Sequence, residues 1–382
     1  MDGLIDLRDG VRQLCRRFPP PYWRSLDRGR GYPEEFVQEM TQAGYLAALI
    51  PEEYGGAGLG VTEAAVILEE INRSGGNAAQ CHAQMYTMGT LLRHGSDEQK
   101  ARWLPGIADG SIRLQAFGVT EPVAGSDTTQ ISTTAEWDGH IYRIRGQKIF
   151  ISRVQHSDYL LLLARTTPSG ETAKRSYGLS VFMVDLHQAL DQGLTVQPVE
   201  TMMNHETNAL FFDNVPVSAE NLIGEEGHGF SYILDGMNAE RILIASECIG
   251  DGYFFIERSS DYARERVVFG RPIGQNQGIQ FPLARAFVQI KAAELMRDRA
   301  CELFDAGHKA GAEANMAKLL ASEASWEAGN AAIQTLGGYG FAVDYDIERK
   351  FRETRLFQVA PISTNLILSY VGEHILGLPR SY

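Results

Sequence analysis

Residues 230–245, FSYILDGMNAERILIA, place a carboxylate inside an apolar stripe. Phe230, Ile233, Met237, Glu240 and Ile244 recur at intervals of three and four, which puts all five on one face of a helix. A carboxyl group carried into a core is costly to ionise, so its pKa rises from about 4.3, which suits a group that takes a proton near neutral pH. The same placement also serves a structural acid paired with the adjacent Arg241. Two glycine-bearing stretches offer chemistry of another kind. In FGVTEPVAGSD, residues 117–127, Thr120 and Ser126 supply hydroxyls, and Gly125 lets the backbone approach a ligand. Exposed amides in such a loop can bond a ring edge or a phosphate. In QTLGGYGFAVDYDIERKFRE, residues 334–353, Gly337, Gly338 and Gly340 end one helix and a run of mixed charge begins the next.

A chain of 382 residues, 44% hydrophobic and 22% charged, suggests two or three domains. A net charge of −13 argues against a general nucleic-acid or anionic-membrane binder. Cys15, Cys81, Cys248 and Cys301 lie far apart, with no zinc-like spacing, so reduced thiols, no metal and a cytoplasmic setting are expected. The opening MDGLIDLRDGVRQLCRRF has no signal-peptide core, and no apolar run is long enough for membrane insertion.

The order of elements predicts an α+β multidomain chain. Residues 1–115 read as a helical domain, with helices over 33–50, from a cap at Thr62 to Gly75, over 77–94, and after Ser96. PEEYGGAGLG, from Pro51, lacks the Lys-Ser/Thr ending of a P-loop and reads as a connector. Residues 116–222 form a central β domain of short runs rich in β-branched and aromatic residues, with Asp138-Gly139 at the place of a type I′ hairpin turn. Residues 223–382 read as helical to the end, over 228–262, 279–306, 309–336 and 346–376, the last broken near Pro361, which makes a four-helix bundle.

The two glycine-bearing motifs, about 210 residues apart, resemble the signatures of the acyl-CoA dehydrogenase family. PEEYGGAGLG, GQKIFIS, ERVVFGRPIGQNQGIQ and VGEHILGLP extend the likeness over nearly the whole chain. The resemblance implies an FAD-binding flavoprotein, a homotetramer built as a dimer of dimers, and a fold with an N-terminal helical domain, a central β-barrel domain and a C-terminal four-helix bundle. It implies that Phe117, Val119, Thr120, Gly125 and Ser126 meet flavin and substrate, and that Phe150, Ile151 and Ser152 lie on the isoalloxazine. Arg266, Phe269 and Gln277 would hold the dinucleotide, in part across a subunit interface, and Gln334, Gly337 and Gly338 would line its path. Arg266 suits that place because a guanidinium fork matches phosphate oxygens.

One departure bears on mechanism. Family members commonly carry their catalytic base in a late Tyr-Glu-Gly-Thr segment, and the corresponding stretch here is QVAPISTNLI, residues 358–367, with Pro361 at the glutamate position. Proline has no acid-base chemistry and no amide to polarise a thioester carbonyl. MNAERILIA resembles instead the isovaleryl-CoA and long-chain acyl-CoA dehydrogenases, whose base comes from this earlier helix, and Glu240 falls on the matching residue. Ser126, Glu240 and Arg241 would then face the substrate, and Ser363 and Asn365 would keep contacts to FAD or adjoining backbone. The expected reaction is α,β-dehydrogenation of an acyl thioester of coenzyme A or an acyl carrier protein, with electrons passed to an electron-transfer flavoprotein or another acceptor. The alternatives are a flavin monooxygenase on the same fold and an inactive FAD-binding member.

Overall fold

A computed structural model describes residues 4–380. Helices α1 (Ile5–Cys15), α2 (Pro20–Gly29), α3 (Glu34–Gln42), α4 (Val61–Arg73), α5 (Ala79–His94) and α6 (Asp97–Asp109) come first. Strands β1 (Ala116–Gly118), β2 (Thr134–Trp137), β3 (Tyr142–Ser152), β4 (Tyr159–Arg165) and β5 (Leu179–Asp185) follow, then the short α7 (Leu186–Asp191), β6 (Leu194–Pro198), β7 (Thr207–Val217) and β8 (Leu222–Ile223). After α8 (Gly229–Glu265) come β9 (Val267–Val268), β10 (Arg271–Pro272), α9 (Gln277–Asp305), α10 (Gly311–Leu336), α11 (Ile347–Arg355) and α12 (Thr364–Tyr370). The contacts divide the chain into two compact units, neither continuous in sequence. One takes the chain up to Gly31, Gly60–Ala78 and everything from Asn238 on; the other takes Tyr32–Leu59 and Ala79–Met237.

Several elements differ from the sequence reading. The expected 33–50 helix ends at Gln42, because Gly44 turns left-handed (φ 78°) and Tyr45–Ala47 winds as a 3₁₀ turn. Thr62 lies within the first turn of α4 rather than capping it; the cap is the distant Asp305, which accepts from the Val61 and Thr62 amides at 2.8 and 3.0 Å. The Asp138-Gly139 pair opens a four-residue loop instead of a two-residue turn, with the Asp138 carboxylate accepting from the His140 and Ile141 amides at 3.0 Å each. The last segment is not helical throughout, since β9 and β10 form a hairpin between α8 and α9. Phe269 and Gly270 at its tip both have positive φ, 51° and 80°, as a tight hairpin turn demands.

In the β-containing unit the hydrogen-bonded order is β6-β7-β3-β2-β4-β5-β8, with β1 beside β4. On a flat sheet β7 and β5, four spacings apart in that order, would lie about 19 Å from each other. They come within 8 Å at Cα, so the sheet curls around one core. That core draws Ile144 and Ile151 from β3, Leu160 and Leu162 from β4, Phe182 from β5 and Leu210 and Phe212 from β7. Strand β4, YLLLLAR, is buried along nearly its whole length, which explains why its apolar residues run without alternation.

In the helical unit, α8–α11 pack around Ile249, Phe255, Ile290 and Phe357. Helix α10 meets its neighbours through Ala314, Ala317, Ala321, Ala324, Ala328 and Ala332, whose small side chains let helices approach closely. A Cβ at Gly252 would fall 2.7 Å from the Ile290 Cδ1, so α8 and α9 need glycine there. Helices α1 and α4 join this core through charge: the buried Arg297 guanidinium donates to Glu69 at 2.8 Å, and Arg8 donates to the same carboxylate at 2.7 Å. The mixed-charge run that opens α11 is also buried: Lys350 reaches Asp251 at 2.5 Å and the Gly76 carbonyl at 2.9 Å, and Arg349 reaches the Gly75 carbonyl at 2.6 Å.

Candidate active site

The loop after β1 is held from within and open outward. Glu121, nearly fully buried, accepts from the Ser132 amide and hydroxyl at 2.8 Å each, from the Thr133 amide at 2.9 Å and from the Lys148 ammonium at 2.9 Å. Lys148 also donates to the Val119 carbonyl at 3.0 Å, and the Ile149 amide donates to the Thr120 carbonyl at 2.9 Å. Burial pushes the Glu121 carboxyl up, but Lys148 and these donors outweigh it and hold its pKa at about 2. Among the described residues, the amides and hydroxyls of Thr120 and Ser126 and the amide of Gly125 have no hydrogen-bond partner. Nothing lies within 4 Å of a Cβ built on Gly125. Phe117, on β1, meets Tyr86 of α5 edge to face at 5.3 Å between centroids.

Strand β3 changes register between Lys148 and Ile151, and the bulge pushes Phe150 outward with φ 60° and a side chain 60% exposed. Ile151 turns the other way into the sheet core, so its backbone alone remains for a ligand, and Ser152 is half-buried beside Thr207. Arg153 follows with φ 59°, buried, its guanidinium 3.4 Å from the His205 ring. Burial, then the nearby Arg153 and His82, hold His205 well below its ordinary pKa, so it is neutral at pH 7.

In the helical unit, Glu240 is 5% exposed on α8, with Ile244 buried one turn further on. Arg241 is buried too; it donates to the Asn238 side chain at 2.7 Å, and burial lowers its pKa against the pull of Glu240 and Tyr370. Across from them on α10 lies Lys318, fully buried, which burial pushes down to about 8 against the fields of Cys248 and Glu240, with Arg241 acting in the same direction as burial. Its ammonium donates to the Ile362 carbonyl at 2.6 Å. Ser363 caps α12 by accepting from the Leu366 amide at 3.3 Å, and Asn365 is exposed. Arg266, Phe269 and Gln277 are brought to one place, around the β9–β10 hairpin and the start of α9, and all three are exposed. Gln334, Gly337 and Gly338 share the end of α10, where Gly337 has φ 60° and neither glycine has an atom within 4 Å of its Cβ position.

Sequence reasoning passed over Glu121, Lys148 and Lys318, although the two lysines left a signal. Lys148 falls at even spacing from the inward Tyr142 and Ile144, and Lys318 sits in the alanine stripe of α10.

Comparison with known proteins identifies the assembly of these parts. The acyl-CoA dehydrogenase N-terminal, middle and C-terminal domains match residues 3–111, 116–215 and 227–376. Acyl-CoA dehydrogenase FadE12 of Mycobacterium tuberculosis is 36% identical, covering 98% of this chain and 96% of that protein. Cyclohex-1-ene-1-carbonyl-CoA dehydrogenase of Syntrophus aciditrophicus is 34% identical, covering 97% and 89%. The solved glutaryl-coenzyme A dehydrogenase complex with glutaryl-CoA superposes with a TM-score of 0.92 at 30% identity, over 100% of this chain and 97% of that one. The chain belongs to the acyl-CoA dehydrogenase family, with its fold of N-terminal helical, middle β-sheet and C-terminal helical domains. It is a flavin-linked oxidoreductase, and its cofactor is FAD. The residues present fit that group: outward donors without partners at Thr120 and Ser126, empty space over Gly125 and an exposed aromatic ring at Phe150.

Proposed function

We propose that Glu240 is the base in the α,β-dehydrogenation of an acyl thioester. The observation that carries this reading is a buried carboxylate on α8 in a chain whose late position holds Pro361. The Glu240 carboxylate takes the α-proton, and the electron pair left on the α-carbon becomes the second bond to the β-carbon as hydride leaves the latter. Bound FAD supplies the acceptor for that hydride. Arg241 and Lys318 favour the ionised form of Glu240 before proton transfer. Phe117, Val119, Thr120, Gly125, Ser126, Phe150, Ser152 and the Ile151 backbone would hold the isoalloxazine and thioester. Arg266, Phe269, Gln277, Gln334, Gly337, Gly338, Ser363 and Asn365 would hold the rest of the cofactor. On this reading the chain would group with the isovaleryl-CoA and long-chain dehydrogenases and work as a tetramer that passes electrons to an electron-transfer flavoprotein or another acceptor. Coenzyme A is the carrier favoured, since the relatives compared act on coenzyme A thioesters by name.

The test is anaerobic titration of the FAD-loaded protein with short, branched and long acyl-CoA thioesters, followed by flavin absorbance, for wild type and Glu240→Gln. Bleaching in the wild type, with binding but no bleaching in the variant, is the expected result. Equal bleaching in both removes Glu240 from the mechanism. Pro361 is the one observation that favours a second reading, a flavin monooxygenase. Its signature is an oxygenated product formed with NADH, a reductase and oxygen, from a protein whose flavin no thioester bleaches.

A further inference from the structure

We propose that the Glu121–Lys148 ion pair is a positioning element for FAD, fixing Thr120 and the Phe150 bulge in binding geometry before the cofactor arrives. The inference rests on the reading that these two segments hold the flavin.

In a trans peptide the carbonyl and the following N–H point in opposite directions. Lys148 takes the Val119 oxygen from inside the unit, so the N–H of the same peptide, that of Thr120, must point away from Lys148. The Ile149 amide fixes the next carbonyl, that of Thr120, and the Glu121 amide and carbonyl close on Ala124 at 3.2 and 3.1 Å. Three successive peptides therefore have their orientation set. On the other strand, Lys148 is the last residue in register before the shift that turns Phe150 outward. One side chain thus sets both the amide and the ring.

Stability alone is a weak account of the pair. Both side chains are buried, with 0% and 2% exposure, and a buried ion pair is often matched or bettered by apolar residues of similar size. An apolar pair, however, could not bind the Val119 oxygen, the Ser132 amide and hydroxyl and the Thr133 amide at once. Three contacts of Glu121, to Ser132 and Thr133, tie the loop to the residues just before β2, and the two donor contacts of Lys148, to Glu121 and Val119, tie it to β3. The inward carboxylate and ammonium are both bonded, while among the described residues the donors of Thr120 and Ser126 have no partner.

The test compares wild type with Glu121→Gln/Lys148→Met, a pair of similar shape without charge. FAD affinity is read by flavin fluorescence, apoprotein melting by circular dichroism and amide hydrogen exchange by mass spectrometry, with and without FAD. The expected variant melts within a few degrees of wild-type apoprotein yet binds FAD about tenfold or more weakly. FAD affinity within about twofold of wild type overturns the proposal, whatever the melting temperature. Exchange in the wild type needs no variant to fold. The Ile149 amide should be protected in the apoprotein, and an amide protected only once FAD is added overturns prior positioning. An FAD footprint absent from residues 117–126 and 148–152 overturns the underlying site reading instead, which separates the two failures.

Discussion

The ammonium of Lys318 donates to the carbonyl of Ile362 at 2.6 Å, one residue beyond Pro361. Helix α10 thereby clamps the segment in which family members commonly carry a glutamate. Among the described residues Lys318 has no carboxylate within ion-pair distance and makes this single hydrogen bond. The charged and titratable groups whose fields reach it are Cys248, Arg241 and Glu240, with Tyr370 next to Arg241.

Replacing Lys318 should therefore move the titration of Glu240. Without the cation the carboxylate is costlier to ionise, so Lys318→Met should shift the acid limb of flavin bleaching to higher pH. Stopped-flow reduction by a saturating thioester across pH 5–9, a range chosen to span about two units either side of neutrality, reads the shift. Lys318→Arg should keep the wild-type limb. An unmoved limb in the methionine variant would mean that the two groups are not coupled.

Glu121 sets a different pH dependence, that of stability. Its folded pKa, about 2, lies below the ordinary 4.5, so the unfolded chain binds the proton more tightly. The stabilisation is fully present above 4.5 and is lost as pH falls toward about 2. Urea unfolding followed from pH 6 to about pH 3 should show Glu121→Gln losing less stability than wild type over that interval. Parallel curves would show that the carboxylate is not depressed.

Much of this was legible in local pattern. The apolar stripe of 230–244 and the alternation of β3 gave α8 and the sheet, because helix and strand periods are written in neighbouring residues. The β9–β10 hairpin was not, because a phenylalanine at φ 51° carries none of the usual turn chemistry. The partners of Arg297 and Lys318 were also hidden. Glu69 lies 228 residues from Arg297 and Ile362 lies 44 from Lys318, and no local rule pairs residues at such separations. The candidate site was legible as motifs, while the bonds that orient it were not.

The Asp305 cap is one of these long-range bonds and has a measurable consequence. Its carboxylate closes the N-terminus of α4 from the end of α9, taking two amides that otherwise have no helical partner. Asp305→Ala should cost about 1–2 kcal/mol, the usual range for a lost cap, and lower the melting temperature without changing FAD affinity. Asp305→Asn, which keeps one acceptor, should recover about half. A melting temperature unchanged in the alanine variant would mean that water replaces the cap.

Phe150 separates stability from function most sharply. Its φ of 60° is unfavourable for a residue with a Cβ, and its ring, 60% exposed, gains little from packing in the apoprotein. Phe150→Gly relieves the backbone, at the cost of a more flexible unfolded chain. The two effects are each about 1 kcal/mol, so apoprotein stability should change by less than that. If the ring lies on the flavin, however, the variant loses a large apolar contact and should bind FAD about tenfold or more weakly. Phe150→Tyr and Phe150→Trp should bind nearly as well as wild type, since both keep an aromatic face. Melting of the apoprotein and fluorescence titration with FAD read the two quantities separately. A glycine variant with wild-type FAD affinity would show that the strained outward turn of β3 serves something other than the cofactor.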